Sequence, residues 1–387
     1  MGKLFPGKLG IQQRLLPNYR VGFFDSLAGH CTGRLEVIAG QPGPYEAVHE
    51  AKELRLAKKV MCRNLHFLSA SSPYYLLWQK GLINWLKNFD PDLLVIEANY
   101  RYLSTCLAIR WMHNRGKPVV GWGLGVKQPG GGIHRFRGIA YVHDWLSRSL
   151  LNSCDGLISY SKKGVNEYRS IGFPAERIFH APNAVMPRPD WPLPNRSLAK
   201  DKQATVLFVG RLQDRKRIDN LIMACANLSK VIQPKVWIVG EGPARRNLES
   251  LANSLYPYVE FFGELHGDQV RPYFESADLF VLPGTGGLAV QEAMAYGLPI
   301  VAAEGDGTQN ELVRQQNGWL LPSNDIKALT NALRKALSDR SQLQLMGRES
   351  YRIVSEEYNL EIMIERFVEA LRSINSNKAN FLNRSGL

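Results

Sequence analysis

Short apolar runs recur along the chain, separated by stretches of mixed polarity long enough for helices. In the first half they are PDLLVIEA, KPVVGWGLG, CDGLISYS and RIFHAPNAV; in the second they are TVLFVG, KVWIVG, YVEFFG, LFVLP and PIVAA. Near-continuous apolar segments of this length, rich in β-branched residues and closed by Gly or Pro, predict strands covered on both faces. Strands alternating with helical stretches predict an α/β protein of two Rossmann-like halves, each with a parallel sheet. Tyr19, Phe23, Phe24 and Leu27 stand at helical spacing and are expected to begin a helix and build core. The segment Tyr74 to Phe89 carries aromatics with Lys80 and Lys87. Its two readings are a helix packed on the sheet, which is favoured, and an amphipathic helix at a membrane interface.

At 387 residues the chain exceeds what one growing core accommodates, so two domains are expected. The run MPRPDWPLPN holds Pro187, Pro189, Pro192 and Pro194 and predicts an extended interdomain linker. The resulting division is an N-terminal domain over 1–186, a linker over 187–203, a second domain over 204–355, a helix over 356–374 and a disordered polar tail over 375–387.

Two strand-turn-helix units in the second half carry the chemistry: VLFVGRLQDRKRIDNLI, and DLFVLPGTGGLAVQEAMAYGLPIVAAEGDGTQNELV. In the first, Gly210 closes a strand and Arg211 and Lys216 follow. Arginine offers a fixed fork of donors and lysine a point charge, and both suit a diphosphate. In the second, Gly284, Gly286 and Gly287 form a turn before a helix. Without Cβ atoms the backbone can approach an anion, and the unpaired N–H groups from Gly286 through Leu288 to Ala289 can point at phosphate oxygens. Glu292, inside that helix, accepts hydrogen bonds only when ionised, which suits the two hydroxyls of a ribose. The GEGP turn at Gly240 to Pro243 reads as a structural βα turn.

In this order the motifs resemble those of the retaining glycosyltransferases of family 4, also called glycosyltransferase group 1, most strongly from about Thr205 to Ala336. The resemblance implies a GT-B fold, with two Rossmann-like domains whose parallel sheets face each other across a cleft. It implies that Gly210, Arg211 and Lys216 bind the donor diphosphate, that Glu292 binds the donor ribose, and that the backbone near Leu265 meets the base. It also implies that the C-terminal helix crosses back to the first domain and that the N-terminal domain binds the acceptor. Tyr19, Arg20, Gly123, Arg135 and Arg137 are the acceptor-side candidates, and His134 is a weaker one. No catalytic side chain is assigned beyond leaving-group stabilisation by Arg211 and Lys216. No metal and no cofactor are expected, because in this fold side chains and helix termini neutralise the diphosphate.

Two departures from the family pattern stand out. The family carries a pair of glutamates with seven residues between them, and counting back from Glu292 gives Gly284 where the first belongs. A histidine is usual in a turn of the N-terminal domain, and Leu124 takes its place. Either an unusual donor sugar or lost activity follows.

Charge adds a partner class. Residues 1–190 hold 25 Lys plus Arg against 13 Asp plus Glu, while residues 191–387 hold 23 against 22. An acceptor-binding half this basic suits an anionic acceptor, or an anionic membrane surface presenting a lipid-linked one. The basic residues are dispersed and no nucleic-acid-reading module is present, so nucleic acid is not expected. Five scattered cysteines indicate neither a disulfide framework nor a zinc site. The opening MGKLFPGKLG lacks the apolar core of a signal peptide, and a cytoplasmic location is expected, with peripheral attachment at the inner membrane face. The expected function is transfer of a sugar from a nucleotide donor to a glycan or lipid-linked acceptor in polysaccharide or cell-surface glycan synthesis. The alternative is a catalytically silent sugar-nucleotide binder that partners an active transferase.

Overall fold

The computed structural model describes residues 4–43, 49–68, 72, 74–126, 137–196, 203–286, 288–305 and 307–384, and within these the side chains of all but 137–140, 231 and 377–384. The chain divides into two compact units, Met1–Val185 with Glu361–Leu387, and Met186–Leu360.

The strands of the first unit are β1 (Leu9–Gln13), β2 (Leu35–Ala39), β3 (Lys58–Met61), β4 (Arg63–Phe67), β5 (Leu76–Lys80), β6 (Leu93–Glu97), β7 (Val119–Gly123), β8 (Gly156–Ser159) and β9 (Ile178–His180). Seven form one sheet in the order β3-β2-β1-β6-β7-β8-β9. Every pairing in it is parallel. Every residue of β1, β2 and β8 is buried, as a sheet covered on both faces requires. The chain runs from β1 outward to β3, then returns to the other side of β1 at β6, so its direction of winding reverses between those two strands. β4 and β5 form a separate antiparallel ribbon.

The segment Tyr74 to Phe89 thus splits into strand β5 and the helix Leu82–Phe89. That helix buries Leu82, Trp85, Leu86 and Phe89, and Trp85 Nε1 donates to Glu36 Oε2 at 2.8 Å. Its apolar face belongs to the core, and the interfacial reading falls. Phe23, Phe24 and Leu27 are buried in the helix Val21–Gly29, as their spacing predicts. Tyr19 is not core: it lies in the 3-10 turn Asn18–Arg20, two residues before the helix begins at Val21, and is 53% exposed.

The last helix, Leu360–Arg384, buries Met363, Ile364, Phe367, Val368, Leu371 and Ile374. Phe367 packs edge-on against Phe23 at 5.3 Å and Trp122 at 5.0 Å between ring centroids. At about 1.5–3 kcal/mol for each large apolar side chain removed from water, this face contributes on the order of 10 kcal/mol before the entropy of ordering the helix is subtracted. The backbone stays helical through residues 375–384, where a polar disordered tail was expected.

The second unit contains β10 (Thr205–Val209), β11 (Lys235–Val239), β12 (Val259–Gly263), β13 (Leu279–Leu282), β14 (Ile300–Ala303) and β15 (Gly318–Leu321). They form one sheet in the order β12-β11-β10-β13-β14-β15, again parallel throughout. Its winding reverses between β10 and β13.

The proline-rich run is not a free spacer. Trp191 stacks on Tyr296 at 5.1 Å and donates from Nε1 to Ala295 O at 3.2 Å. Arg196 donates to four carbonyl oxygens, those of Phe274 and Tyr296 at 2.8 Å, Ala277 at 2.7 Å and Gly297 at 3.1 Å. The prolines keep the strand extended, and this Trp and Arg strap residues 186–196 onto the second unit.

Candidate functional site

β10 and β13 are hydrogen-bonded neighbours, with Val206 opposite Leu279 and Leu207 opposite Phe280. The loops that leave their carboxyl ends therefore emerge side by side at the point where the winding reverses. In open α/β sheets that point is where ligands bind. The two units singled out in the sequence are those two loops with their helices.

After β10 the chain turns at Gly210, whose φ of 149° lies in the region that favours glycine. Gly210 N bonds Val239 O at 2.9 Å and Leu212 N bonds Glu241 O at 2.8 Å, so the loop is fastened to the turn after β11. Any Cβ at Gly240 or Gly242 would collide with Gly210 or Leu212. The GEGP turn is structural, as read from the sequence. A 3-10 turn over Asp214–Lys216 follows, then Arg217 in a left-handed conformation at φ 52°. That conformation costs a non-glycine residue about 1–2 kcal/mol. The Arg217 guanidinium offsets it with bonds to Asp219 at 2.8 and 3.1 Å and Asn220 at 2.9 Å.

The turn after β13 packs directly on this loop. Thr285 N donates to Arg215 O at 3.1 Å, and Gly284 lies against the backbone of Arg215 and Lys216. Gly286, at φ 120°, has the Lys216 ammonium group lying over the space a Cβ would fill. The glycine turn and the lysine thus meet, which is the arrangement an anion held by backbone donors and one cation needs.

Leu288 and Ala289 are the first residues of the helix Leu288–Ala295, and Glu292 lies one turn further on. Burial raises the Glu292 carboxyl to about 7. A partly buried carboxyl group one turn beyond the glycine turn is suited to ligand hydroxyls, from which it accepts when ionised. Leu265 follows β12 and packs partly buried against the core, separated from β10 by β11. Gly287 lies outside the described residues. Among the donor-side candidates, Gly210, Arg211, Lys216, Gly286, Leu288, Ala289 and Glu292 thus belong to elements at the β10–β13 junction, with Leu265 two strands away.

In the first unit Arg20 is 8% exposed. Its guanidinium lies 5.4 to 5.9 Å from the ring centroids of Tyr19, Phe23, Trp122 and Tyr160 and donates to Asn183 Oδ1 at 2.7 Å. Gly123 closes β7, next to the Tyr168 hydroxyl, and Leu124 beyond it is 41% exposed. Arg135 and His134 lie outside the described residues, and Arg137 begins the helix Arg137–Asn152 with its side chain outside them.

Sequence reasoning missed Arg215, which sits between two residues it named. Arg215 Nε donates to Gln213 Oε1 at 3.0 Å, and its Nη1 reaches Thr285 Oγ1 at 3.4 Å and O at 3.5 Å. Asn183 was also missed, because 163 residues separate it from Arg20 and no local pattern marks it.

Comparison with known proteins decides the family. Residues 190–353 match the model for glycosyl transferases group 1, and residues 34–188 match the model for glycosyltransferase family 4. The chain belongs to the family 4, group 1 glycosyltransferases. An uncharacterized glycosyltransferase of Haemophilus influenzae is 34% identical over 46% of this chain and 52% of its own length. The putative colanic acid biosynthesis glycosyltransferase WcaL of Escherichia coli is 26% identical over 59% of each chain. The chain thus spans about half the length of these relatives. The crystal structure of Anabaena HepE in complex with UDP superposes with a TM-score of 0.70 at 16% identity, covering 95% of this chain and 99% of that one. The fold is GT-B. Among the described residues no helix is long and apolar enough to cross a membrane.

Proposed function

We propose that this chain transfers a sugar, with retention of anomeric configuration, from a nucleotide-sugar donor to a hydroxyl of a glycan or lipid-linked acceptor in polysaccharide or cell-surface glycan synthesis. The observation that carries the reading is the junction of β10 and β13, where the loop bearing Arg211 and Lys216 packs on the glycine turn that leads to Glu292. The diphosphate binds against Lys216, Arg211 and the backbone donors of Gly286, Leu288 and Ala289. Glu292 accepts from the ribose hydroxyls, and the base lies toward Leu265. HepE, which has the same fold, is seen with UDP, and WcaL is named for colanic acid synthesis; both support a nucleotide-sugar reading and a glycan setting.

The chemistry then rests on charge. As the glycosidic bond to the diphosphate breaks, negative charge grows on the leaving oxygen, and the fixed cations and N–H groups already aimed there lower the barrier. Removal of one such preorganised donor typically costs about 10²–10³ in rate. The leaving diphosphate takes the acceptor proton on the same face of the sugar. The basic first unit favours an anionic acceptor or a membrane surface that presents it, on the cytoplasmic side. No metal is needed when side chains and helix termini carry the compensating charge, and turnover unchanged by chelator is the corresponding expectation.

A second reading is favoured by Gly284 and Leu124, which leave the sugar end without two polar groups the family carries: a silent nucleotide-sugar binder. A donor panel with mass-spectrometric detection of product separates the two. Product from any donor supports transfer; binding of nucleoside diphosphate with no product from the whole panel supports the silent binder.

A further inference from the structure

The space where the family places its first glutamate is closed here by the chain itself. A Cβ on Gly284 would lie 2.7 Å from Lys216 Cα and closer still to Arg215 O, a separation that real Cβ atoms do not show. The missing carboxylate is therefore not an open vacancy that a water molecule or a larger sugar fills. Backbone fills it, and that packing sets Arg215 at the rim of the glycine turn. Its Nη1 lies 3.4 Å from Thr285 Oγ1 and about 4.0 Å from the space beside Gly286 into which Lys216 also points. A position that is anionic in the family is thereby bordered by a guanidinium.

Among the described residues Arg215 donates to neutral oxygens, of Gln213 and Thr285, and the Thr285 contacts are long. Such bonds exchange readily for a carboxylate, which arginine meets with two parallel N–H groups and a full opposite charge. Arg211 and Lys216 already match a diphosphate in this reading, and Arg215 adds a third cation beside them. A sugar offering only hydroxyls leaves that third charge unmatched.

We infer that the donor sugar bears a carboxylate, as in the uronic acids, and that Arg215 is the residue that distinguishes it from a neutral hexose. The inference rests on the nucleotide-sugar reading of the site. In that role Gly284 acts through Arg215: it makes room for the loop that carries the guanidinium.

The test is calorimetric titration of the full chain with two matched donor pairs, UDP-glucose with UDP-glucuronate and GDP-mannose with GDP-mannuronate, beside UDP and GDP alone. In the base series that binds, the uronate is expected to bind about tenfold tighter than its neutral partner, an effect of the size of one charge-assisted contact. Arg215→Gln is expected to bring the two within about twofold, and Arg215→Lys to retain part of the difference. A purely structural role for Arg215 weakens both members of a pair alike and leaves their ratio intact. Equal affinities in the wild-type protein, or a ratio that survives Arg215→Gln, overturns the inference while leaving nucleotide-sugar binding in place. Failure of UDP, GDP and all four sugars to bind overturns the reading on which it rests.

Discussion

Gly284 and Lys216 touch through their backbones: a Cβ on the glycine would stand 2.7 Å from the Cα of the lysine. This contact couples the two loops of the site, so the conformation of the cationic loop depends on a residue that has no side chain. Gly284→Ala is expected to push the Arg215–Lys216 backbone away and weaken nucleoside diphosphate binding about tenfold or more. Gly284→Glu, which restores the family residue in name, is expected to be worse and to restore no activity. Calorimetry with UDP and GDP on both variants checks this; unchanged affinity in Gly284→Ala shows that the loops do not need the contact.

Glu292 gives a pH signature with a definite sign. Its folded carboxyl is raised to about 7 by burial alone, above its unfolded value near 4.5. The native state therefore holds the proton more tightly, and the contribution to stability is complete below about pH 4.5 and lost as pH rises through 7. A shift of this size amounts to about 3 kcal/mol at most. Glu292→Gln removes the penalty and is expected to be more stable than wild type above pH 7, by denaturant melts, with little difference near pH 4.5. Ribose hydroxyls donate to the ionised form, so nucleotide affinity is expected to rise with pH up to about 7 in wild type and to be flat in Glu292→Gln. A flat wild-type profile removes Glu292 from the ribose.

Arg196 gives a stability prediction away from the site. Its guanidinium serves four carbonyls at 2.7–3.1 Å, and burial lowers it to about 10. Arg196→Ala leaves several carbonyls of the second unit without a donor and is expected to destabilise that unit by roughly 2–4 kcal/mol. Fluorescence of Trp191, stacked on Tyr296 in the same strap, is the local probe. A change below about 0.5 kcal/mol in denaturant melts contradicts the strap.

Arg20 separates acceptor-side from donor-side effects. Arg20→Met keeps the stem among Phe23, Trp122 and Tyr160 but loses the charge and the Asn183 bond. Destabilisation of about 2 kcal/mol is expected, with UDP or GDP affinity kept within about twofold, because Arg20 belongs to the first unit and the proposed nucleotide site to the second. A large loss of nucleotide affinity in this variant contradicts that division of labour.

Strands β6 to β14 were legible because strands covered on both faces read as continuous apolar runs, whereas β1, β2, β3 and β15 were not, since Gln12 and Gln13, Glu36, Lys58 and Lys59, and Gly318 interrupt or shorten the apolar pattern there. That Gly210 and Gly284 each follow a strand was legible for the same reason, but that those strands, β10 and β13, are neighbours comes from the sheet order alone. The reach of Arg215 to Thr285 was not, because it depends on how closely two loops 70 residues apart approach. The extent of the last helix was missed where polar residues after Asn375 gave no helical apolar stripe. The strap was missed because a proline-rich run specifies an extended backbone and says nothing of what Trp191 and Arg196 will touch. Buried polar networks are equally silent in sequence: Gln12 Nε2 donates to Gln79 Oε1 at 2.6 Å and to Thr105 Oγ1 at 2.9 Å inside the first unit, and no local pattern marks these contacts.

In the proposed function Arg211 and Lys216, on the loop after β10, hold a nucleoside diphosphate. Calorimetric titration of UDP and GDP into wild type and into the double variant Arg211→Ala with Lys216→Ala tests it most directly. At least one of them is expected to bind wild type, with a loss of about 100-fold or more in the double variant, as when two charge-assisted contacts to phosphate are removed. Binding that survives the double substitution within a few-fold places the nucleotide elsewhere and removes Arg211 and Lys216 from the diphosphate.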